Sequence, residues 1–465
     1  MNNVPIVAGD ILNAYLQAPS SEKHYIICGT EFGLENVGKV ALIRRALYGG
    51  KSAGRDFWNH LRDCMHFLGF TSCRADPDLW IRPTTKLDGT PCYDYVLLYV
   101  DDTLAISENA EHIIGNEIDK YFEMKEASIG KPTIYLGGKV NEVTLNNGAN
   151  AWSFSSSQYV QAAVRNVNDY LEKRGEKLQP KVKAPFTSNY RPELETTPEL
   201  DEIDSAYYAS LIGILRWIVE LGRIDIAVET SLMSSYMAMP KEGHLKQLYH
   251  MFSYLKSHHN SEMVFDPSDP DVDMSDFEEQ DWSSTVYATA LKEELPPNMP
   301  EPRGQSMRMT CYVDSDHAGD NVTRRSRTGF LVFLQSAPIY WMSKKQTSIE
   351  TSSFGSEFIA MKQCTEYVRG LRYRLRMMGI PVEEPTFIYG DNQSVLANTK
   401  NPHSQLKKKS NSIAYHFVRE GCARGEWRTT YVNTAYNPAD LLTKSLPAGE
   451  KRSRFVKMLL HHIYL

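Results

Sequence analysis

Two sets of acidic residues in the sequence have positions suited to binding divalent metal ions. In the first set, Asp10 ends a short apolar run, and Asp101 and Asp102 lie between two apolar runs, 93–98 and 103–106. Two short β-type runs that meet at a pair of acids are typical of a hairpin that presents both side chains. Adjacent carboxylates repel one another when ionised, and hard oxygen ligands of this kind suit Mg²⁺. Taken alone, the pair also fits an ordinary acidic turn, because Asp is common in turns.

The second set lies in the C-terminal third. Asp314 and Asp391 end predicted strands, whereas Glu357 and Asp440 lie in the first turns of predicted helices. The helix dipole favours acids in a first turn, so each of these two also has a purely structural explanation. Asp316 is an alternative to Asp314 as the first acid of this set, since both lie at the end of the same predicted strand. Four acids at element ends could form a two-metal site that activates water to cut a phosphodiester.

The first set fits a related reaction. If the strand that ends at Asp10 lies beside the hairpin, three carboxylates converge and could hold two Mg²⁺ for in-line displacement at phosphorus. Tyr15 follows on the next turn and could lie beneath an incoming sugar. Its spacing alone favours an ordinary core tyrosine.

The elements that must position these acids follow from hydrophobic periodicity. Strands and helices mix in the N-terminal part, which indicates an α+β domain: the strands are expected at 4–10, 24–28, 39–45 and 134–136, and the helices at 52–68 and 108–123. Residues 176–205 resemble a linker, 206–258 are predicted to be mostly helical, and the acidic, Pro-rich residues 266–306 are predicted to be disordered or weakly ordered.

The C-terminal part has a different order of elements: three strands, a helix, a strand, helices, a strand and a helix. The ranges are 309–314, 328–334 and 338–342 for the strands, 353–378 for the helix, 386–389 and 427–432 for the later strands, and a start near 438 for the last helix.

Composition limits the classes of protein. The chain has 465 residues, which is enough for two to four domains. It contains no apolar run of membrane-spanning length, and its N-terminus does not have the pattern of a secretory signal. Seven cysteines without CxxC spacing indicate reduced thiols, an intracellular setting and no zinc site. Net charge is −6, but residues 311–465 carry 22 Lys and Arg against 13 Asp and Glu. A basic region is typical of polyanion binding, although a cluster such as Lys407-Lys408-Lys409 also fits a solvated face.

An ordered series of motifs gives the sequence a family resemblance. The chain resembles the reverse transcriptase and ribonuclease H region of copia-type LTR-retrotransposon polyproteins, through these stretches: DILNAYL (10–16), ALYGGKSAGRDFW (46–58), GFTSCRADPDLW (69–80), YVDD (99–102), FEMK (122–125), YLGG (135–138), SQYV (157–160), YYASLIGILRWI (207–218), YVDSDHAGD (312–320), RSRTGFLVFL (325–334), PIYWMSKKQ (338–346), SSFGSEFIA (352–360), YGDNQSVLANTKNP (389–402), YHFVRE (415–420) and NPADLLTKSLP (437–447).

The resemblance implies a fold with four segments. These are an α+β reverse-transcriptase palm with partial fingers (1–175), a linker and helical thumb or connection (176–265), an acidic Pro-rich tether (266–308) and an α/β RNase H-like domain (309–465). Family members carry further fingers residues before the first acid, so the resemblance also implies an N-terminally truncated reverse transcriptase.

The resemblance also implies the site residues and the activity. The catalytic, metal-binding acids would be Asp10, Asp101, Asp102, Asp314, Glu357, Asp391 and Asp440, and the substrate contacts Tyr15, Lys51, Ser52 and Tyr99. The implied activities are RNA-directed DNA polymerase and RNase H, with two Mg²⁺ per site and Mn²⁺ as a substitute. The implied partners are an RNA template, a DNA primer, an RNA/DNA hybrid, dNTPs and retroelement particle proteins, without a membrane, in the cytoplasm or nucleus.

Three substitutions depart from the family pattern, and the missing fingers residues favour an alternative. Ser52 stands where the family has glutamine near the nucleotide, Gly54 stands where it has proline, and KKKSNS (407–412) replaces a stretch that carries a histidine. The alternative is a truncated, polymerase-inactive retroelement remnant that binds nucleic acid.

Overall fold

The computed structural model describes residues 4–289, 292–406 and 409–464, which form two compact units. Unit 1 comprises described residues 4–132, 295–306 and 373–381, and unit 2 comprises the rest. The four segments predicted from the sequence follow one another along the chain, whereas each unit is assembled from three separate stretches. Lys407 and Lys408 of the predicted lysine cluster lie outside the described residues.

Unit 1 combines an antiparallel sheet with short helices, as the α+β prediction requires. Its strands are β1 (Ile6–Asp10), β2 (Pro19–Ile27), β3 (Val40–Arg45), β4 (Thr71–Cys73), β5 (Asp76–Thr85), β6 (Pro91–Tyr99) and β7 (Asp102–Ile106), and its helices are α1 (Ala14–Gln17), α2 (Ala53–Phe67) and α3 (Ala110–His112). The main sheet has the order β1-β7-β6-β5-β4, and β2 pairs with β3 separately.

The predicted hairpin is present between β6 and β7, with Tyr99 opposite Asp102. The helix predicted at 108–123 is shorter than expected. It begins as α3 and continues as a π-helical turn at Ile113–Ile118. Gly115 and Asn116 have low helix propensity in this stretch, whereas Ile113, Ile114 and Ile118 are held in the core. Packing therefore sets the backbone here more than local propensity does.

Unit 2 begins with a four-stranded antiparallel sheet and a helical layer. Its first strands are β8 (Ile134–Tyr135), β9 (Gly138–Thr144), β10 (Asn150–Ser155) and β11 (Met263–Phe265), and its first helices are α4 (Ser157–Glu172), α5 (Glu202–Glu220), α6 (Ala227–Met233) and α7 (Glu242–Ser257). Helices α5 to α7 confirm the predicted helical stretch. The apolar face predicted on α5 is buried at Leu211, Leu215 and Ile218.

A second, five-stranded sheet carries the C-terminal acids. Its elements are β12 (Met309–Asp316), β13 (Arg327–Leu334), β14 (Ala337–Lys345), α8 (Ser353–Met377), β15 (Thr386–Gly390), α9 (Gln393–Lys400), α10 (Ser412–Ala423), β16 (Trp427–Tyr431), α11 (Asp440–Thr443) and α12 (Glu450–Leu459). The strand order is β14-β13-β12-β15-β16, antiparallel from β14 to β12 and parallel from β12 to β16. The predicted order of elements is confirmed, and α12 is an additional helix.

Two segments expected to be loose are packed in unit 2. Leu178, Val182 and Phe186, within the expected linker, belong to the helical core. In the expected tether, Phe277 is buried against Phe387 and Tyr389 of β15. Isolated apolar side chains in a polar stretch have little local periodicity, so only their distant partners reveal that they are buried. Among the described residues, no helix is both long enough and apolar enough to cross a membrane.

Candidate functional site: two groups of acidic side chains

Three carboxylates of unit 2 form a compact group. One ligand oxygen each from Asp314, Glu357 and Asp391 lies within 4.8 Å of the other two. Among the described residues this is the only group of three or more His, Cys, Asp or Glu side chains that meets that distance. Asp314 is buried and the other two are partly buried. The structure thus brings together three of the four acids predicted for this site.

Strand register and close packing produce this arrangement. Val313 of β12 pairs with Gly390 of β15 in parallel, so Asp314 and Asp391 follow at the same edge of the sheet. A Cβ on Gly329, which pairs with Asp314, would lie 2.7 Å from Leu442 and from Thr443. Glycine therefore permits α11 to approach the sheet closely, and the Thr443 hydroxyl donates a hydrogen bond to Asp314.

The electrostatics of the group show excess negative charge. Burial and the neighbouring carboxylates of Asp440 and Asp391 raise the pKa of Asp314 to about 7, although Lys444 opposes this. Burial, Asp314 and Asp391 raise the pKa of Glu357 to about 10. Burial also raises the pKa of Asp391. Clustered acids with raised pKa values are a feature of functional sites, because a bound cation can repay the cost of ionisation.

Asp440 has different partners. Lys444 Nζ lies 2.6 Å from one carboxylate oxygen of Asp440, and Lys451 contacts the other. Lys444 also lies 3.3 Å from Asp314. Burial lowers the pKa of Lys444, but the nearby carboxylates of Asp314 and Asp440 raise it, and the net result is a pKa above the ordinary value. Asp440 is therefore joined to the three-carboxylate group through a shared lysine.

Asp316, the competitor of Asp314, is not part of the three-carboxylate group. Its carboxylate lies where a Cβ on Gly319 would be, and burial raises its pKa. The geometry thus favours Asp314 as the first acid of the group.

In unit 1, the structure places Asp10 directly opposite Asp102 on adjacent strands. The backbone N–H of Ile11 donates to the carbonyl of Asp101 at 2.9 Å, which fixes β1 against the hairpin. Burial, Asp101 and Asp10 raise the pKa of Asp102. Lys125 Nζ donates to Asp10 Oδ2 at 2.5 Å, whereas Asp10 Oδ1 is buried without a hydrogen-bond partner. These three acids lie at one edge of the sheet without meeting the 4.8 Å distance as a group.

The predicted substrate contacts have different surroundings. Tyr15 packs on Tyr48 and Phe57, with ring centroids 4.7 and 5.8 Å away. Lys51 is exposed, and Tyr99 is half-exposed on β6.

Ser52 is buried rather than open to solvent. Its hydroxyl donates to Asp56 at 3.0 Å, and Asp56 also accepts from the backbone and hydroxyl of Ser21. In this arrangement Ser52 helps to anchor the start of α2. Its role in nucleotide binding stays a prediction, as do those of Tyr15, Lys51 and Tyr99.

Sequence reasoning missed the lysines that contact the acids. Lys444 lies four residues after Asp440 on one helical face, and this spacing is a signal for an ion pair. Lys125 and Lys451 reach their acids only through tertiary structure, so spacing along the chain gives no comparable signal.

Comparisons with known proteins bear on the family. No family model matches the chain. It is 26% identical over 443 residues to the retrovirus-related Pol polyprotein from transposon RE1 of Arabidopsis thaliana, which covers 95% of this chain and 26% of that protein. It is 24% identical over 450 residues to the corresponding protein from transposon TNT 1-94 of Nicotiana tabacum, covering 95% of this chain and 30% of that protein. The chain is therefore a relative of the copia-type retrovirus-related Pol polyproteins, and the predicted family resemblance is confirmed.

The match to a yeast protein covers nearly the whole length of that protein. The putative transposon Ty5-1 protein of Saccharomyces cerevisiae is 25% identical over 360 residues, which are 76% of this chain and 98% of that protein. By contrast, the chain spans about a quarter to a third of the length of the Arabidopsis and Nicotiana polyproteins.

Solved structures show weaker likeness. RNase H1 from Halobacterium salinarum matches with 16% identity and a TM-score of 0.23, covering 29% of this chain and 94% of that one. A foamy viral protease-reverse transcriptase in complex with double-stranded DNA matches with 11% identity and a TM-score of 0.22, covering 96% of this chain and 61% of that one. These TM-scores are too low to establish a shared fold.

Proposed function

We propose that unit 2 cleaves the RNA strand of an RNA/DNA hybrid at the group formed by Asp314, Glu357 and Asp391. The single observation that carries this proposal is the close approach of three carboxylates with raised pKa values at one sheet edge. Relationship to the Pol polyproteins supports the choice of substrate.

The donor set fits a hard divalent cation. Three carboxylates within 4.8 Å supply the oxygen ligands that Mg²⁺ and Mn²⁺ prefer. When bound, such an ion would neutralise charge on a phosphodiester and lower the pKa of an attacking water. The second ion expected from the family would need Asp440, whose oxygens both contact ammonium groups. Lys444 and Lys451 are each more than one-third exposed, so both have room to turn away.

The protein's own side chains orient this group. Thr443 holds one oxygen of Asp314 by a hydrogen bond, and Lys444 places a positive charge between Asp314 and Asp440. Glu357, with a pKa of about 10, retains a proton at neutral pH in the absence of a cation. A metal ion that binds to Glu357 must therefore displace this proton, so the affinity for the metal depends on pH.

A second proposal concerns unit 1, which we infer to be a reverse-transcriptase palm that extends a DNA primer on an RNA template with dNTPs. It is supported by the pairing of Asp10 with Asp102 beside the Asp101 turn and by the buried, unpartnered Asp10 Oδ1. An oxygen in that state has capacity for a further ligand. The contact between Asp10 and Lys125 must rearrange if Asp10 is to bind metal through both oxygens.

The nuclease proposal is tested with a labelled RNA/DNA hybrid and Mg²⁺. Wild type should cleave the RNA strand, and Glu357→Gln and Asp391→Asn should each reduce cleavage by at least 100-fold, on the order of the effect of removing a key electrostatic group. Glu366→Gln, on the same helix but paired with Lys362, is the matched control and should retain activity. No cleavage by wild type, or equal cleavage by Asp391→Asn, would refute the proposal.

Primer extension on an RNA template tests the polymerase proposal separately. Asp102→Asn should abolish extension, whereas Asp63→Asn, an exposed acid on α2, should not. If wild type binds the template and primer but does not extend them, unit 1 is the polymerase-inactive remnant instead.

A further inference from the structure

A cleft in unit 2 adjoins the three-carboxylate group. It has a volume of about 380 Å³, and its walls come from the stretch 186–193, from the end of α6, from the β12–β13 connection and from the residues after α11. Thr443 and Lys444, which both contact Asp314, lie on one wall. The cleft therefore lies beside the proposed nuclease site.

Three arginines line this cleft without a carboxylate partner. Arg191, Arg325 and Arg327 make no ion pair within 4 Å in the described part of the chain. Elsewhere in unit 2 arginines are commonly paired: Arg174 with Asp204, Arg223 with Asp225, Arg308 with Glu384, Arg369 with Glu426, Arg372 with Glu293 and Arg424 with Glu420. The three arginines of the cleft therefore have no described carboxylate at ion-pair distance, which leaves their charge available to an anionic ligand.

Arg327 is the most informative of the three. Its side chain is buried, with 5% of the residue exposed, yet its hydrogen bonds go from Nη1 to the hydroxyls of Ser231 and Ser343, at 2.7 and 3.2 Å. Nε and Nη2 donate no hydrogen bond within the described part of the chain, and neither is fully sealed from solvent. Burial lowers the pKa of Arg327 to about 10 because nearby acids compensate its charge only partly. Leaving a buried charge incompletely paired is costly, and a bound anion would remove that cost.

Among the described residues, no acid of the cleft forms an ion pair within 4 Å with these arginines, although Asp316, opposite Arg327, compensates part of its charge. Asp320 is paired with Lys345 at 2.7 Å and accepts from two backbone N–H groups of its own loop. Glu193 accepts from the backbone N–H of Asn321 at 3.3 Å. Asp316 packs on Gly319. Two of these carboxylates are thus engaged in holding the β12–β13 connection.

Strand register fixes the position of Arg327 relative to the acids. Asp314 pairs with Gly329 and Asp316 with Arg327, so Arg327 lies two residues along the sheet edge from the point opposite Asp314. At about 3.4 Å per residue this is roughly 7 Å. That distance is comparable to the separation of neighbouring phosphates along a nucleic-acid strand.

We propose that this cleft binds a backbone phosphate of the nucleic-acid substrate, with Arg327 as the buried anchor and Arg191 and Arg325 at the rim. Guanidinium groups suit this ligand because their planar forks donate two hydrogen bonds to a phosphate. The choice of ligand rests on the proposed nuclease function. The stretch 186–193, expected from the sequence to be a linker, would then form part of the substrate-binding surface.

The test measures binding of a fluorescent, cleavage-resistant hybrid in EDTA as KCl is varied, so that catalysis plays no part. Each phosphate contact contributes about −0.9 to the slope of log K against log salt. The double variant Arg191→Ala/Arg325→Ala should therefore have a slope shallower by about 2, and Arg191→Lys/Arg325→Lys should restore it. Arg165→Ala, an exposed arginine on α4 outside the cleft, is the matched control and should leave the slope unchanged.

Arg327→Lys keeps the positive charge but removes the planar guanidinium group. It should therefore leave the salt slope nearly unchanged and weaken hybrid binding about tenfold. This corresponds to roughly 1.4 kcal/mol, the loss expected for one charge-assisted hydrogen bond. An unchanged slope in the double alanine variant overturns the proposal. Both arginines are exposed, so their replacement removes no buried contact. Binding of inorganic phosphate at the cleft without any displacement of the hybrid would also overturn it, because the cleft would then be a small-anion site. Tight, salt-dependent binding without cleavage would instead refute the nuclease function and leave the cleft in place.

Discussion

Replacing Asp314 with asparagine should stabilise the protein at alkaline pH when metal is absent. The pKa of Asp314 rises from 3.8 to about 7 in the folded state. Because the folded-state pKa is the higher one, the cost of ionisation is absent below about pH 4, grows between pH 4 and 7, and is complete above pH 7. At about 1.4 kcal/mol per pKa unit, this cost reaches about 4 kcal/mol. Asparagine removes the charge at nearly constant volume.

Scanning calorimetry of wild type and Asp314→Asn at pH 4.5 and pH 8 in EDTA provides the assay. The variant should unfold at a higher temperature at pH 8, by up to about 10 °C for 4 kcal/mol. At pH 4.5 the difference should fall to about a quarter of that value. Adding Mg²⁺ should raise the Tm of wild type and not that of the variant, because only wild type retains all three carboxylates.

Asp320 provides a control of opposite sign. Burial raises the pKa of Asp320, but hydrogen bonds from Lys345 and Thr323 lower it to about 2. The ionised form of Asp320 therefore stabilises the fold at neutral pH. Asp320→Asn should therefore lower the Tm at pH 8. A Tm of Asp314→Asn below that of wild type at pH 8 in EDTA would refute the reasoning, as would equal Mg²⁺ shifts in both proteins.

Four further substitutions test packing and strain. Arg372→Ala should lower the free energy of unfolding by about 3–5 kcal/mol, because this buried arginine donates two hydrogen bonds to the carboxylate of Glu293. The segment near Glu293 should then become sensitive to limited proteolysis. An unchanged digestion pattern would contradict this prediction. Val100→Gly should raise the Tm slightly, because Val100 has φ 57° and a left-handed conformation costs a β-branched residue about 1–2 kcal/mol; a lower Tm would exclude strain there. Gly421→Ala should destabilise the fold by about 1–3 kcal/mol, since its Cβ would overlap the buried indole of Trp427. Gly370→Ala, which has open space on α8, should instead stabilise the fold by about 0.5–1 kcal/mol. Equal thermal shifts in the two variants would contradict this contrast.

Periodicity predicted much of the architecture, because the elements around both acid groups have strong local patterns. The spacing of Phe57, Leu61 and Met65 identifies α2, and all three are buried. Two apolar runs that meet at a pair of acids likewise identified the hairpin at Asp101 and Asp102, and the C-terminal strands were predicted in their order along the chain. Such signals survive in a single sequence because they depend on neighbours within a few residues.

Long-range contacts could not be predicted in this way. Phe277 and Leu178 lie in polar stretches, and their burial depends on partners far away in sequence. Lys451 contacts Asp440 across the start of α12, a helix that was not predicted. The candidate sites show the same division. The acids were named from their positions at element ends, whereas the cations beside them became visible only once the fold brought distant residues together.

The assembly of unit 1 from three separate stretches has a consequence for the order of folding during synthesis. Tyr93 donates to the carbonyl of Glu301 at 2.7 Å, and Tyr95 donates to that of Met378 at 3.0 Å. These partners leave the ribosome long after the sheet that receives them, and closing loops of this length has an entropic cost that grows slowly with length. All strands of the N-terminal sheet are translated first, but the two later stretches of unit 1 follow only after much of unit 2. Ribosome-associated chaperones would meet unit 1 without these stretches, so the yield from expression should depend on chaperones more than the stability of the folded protein suggests.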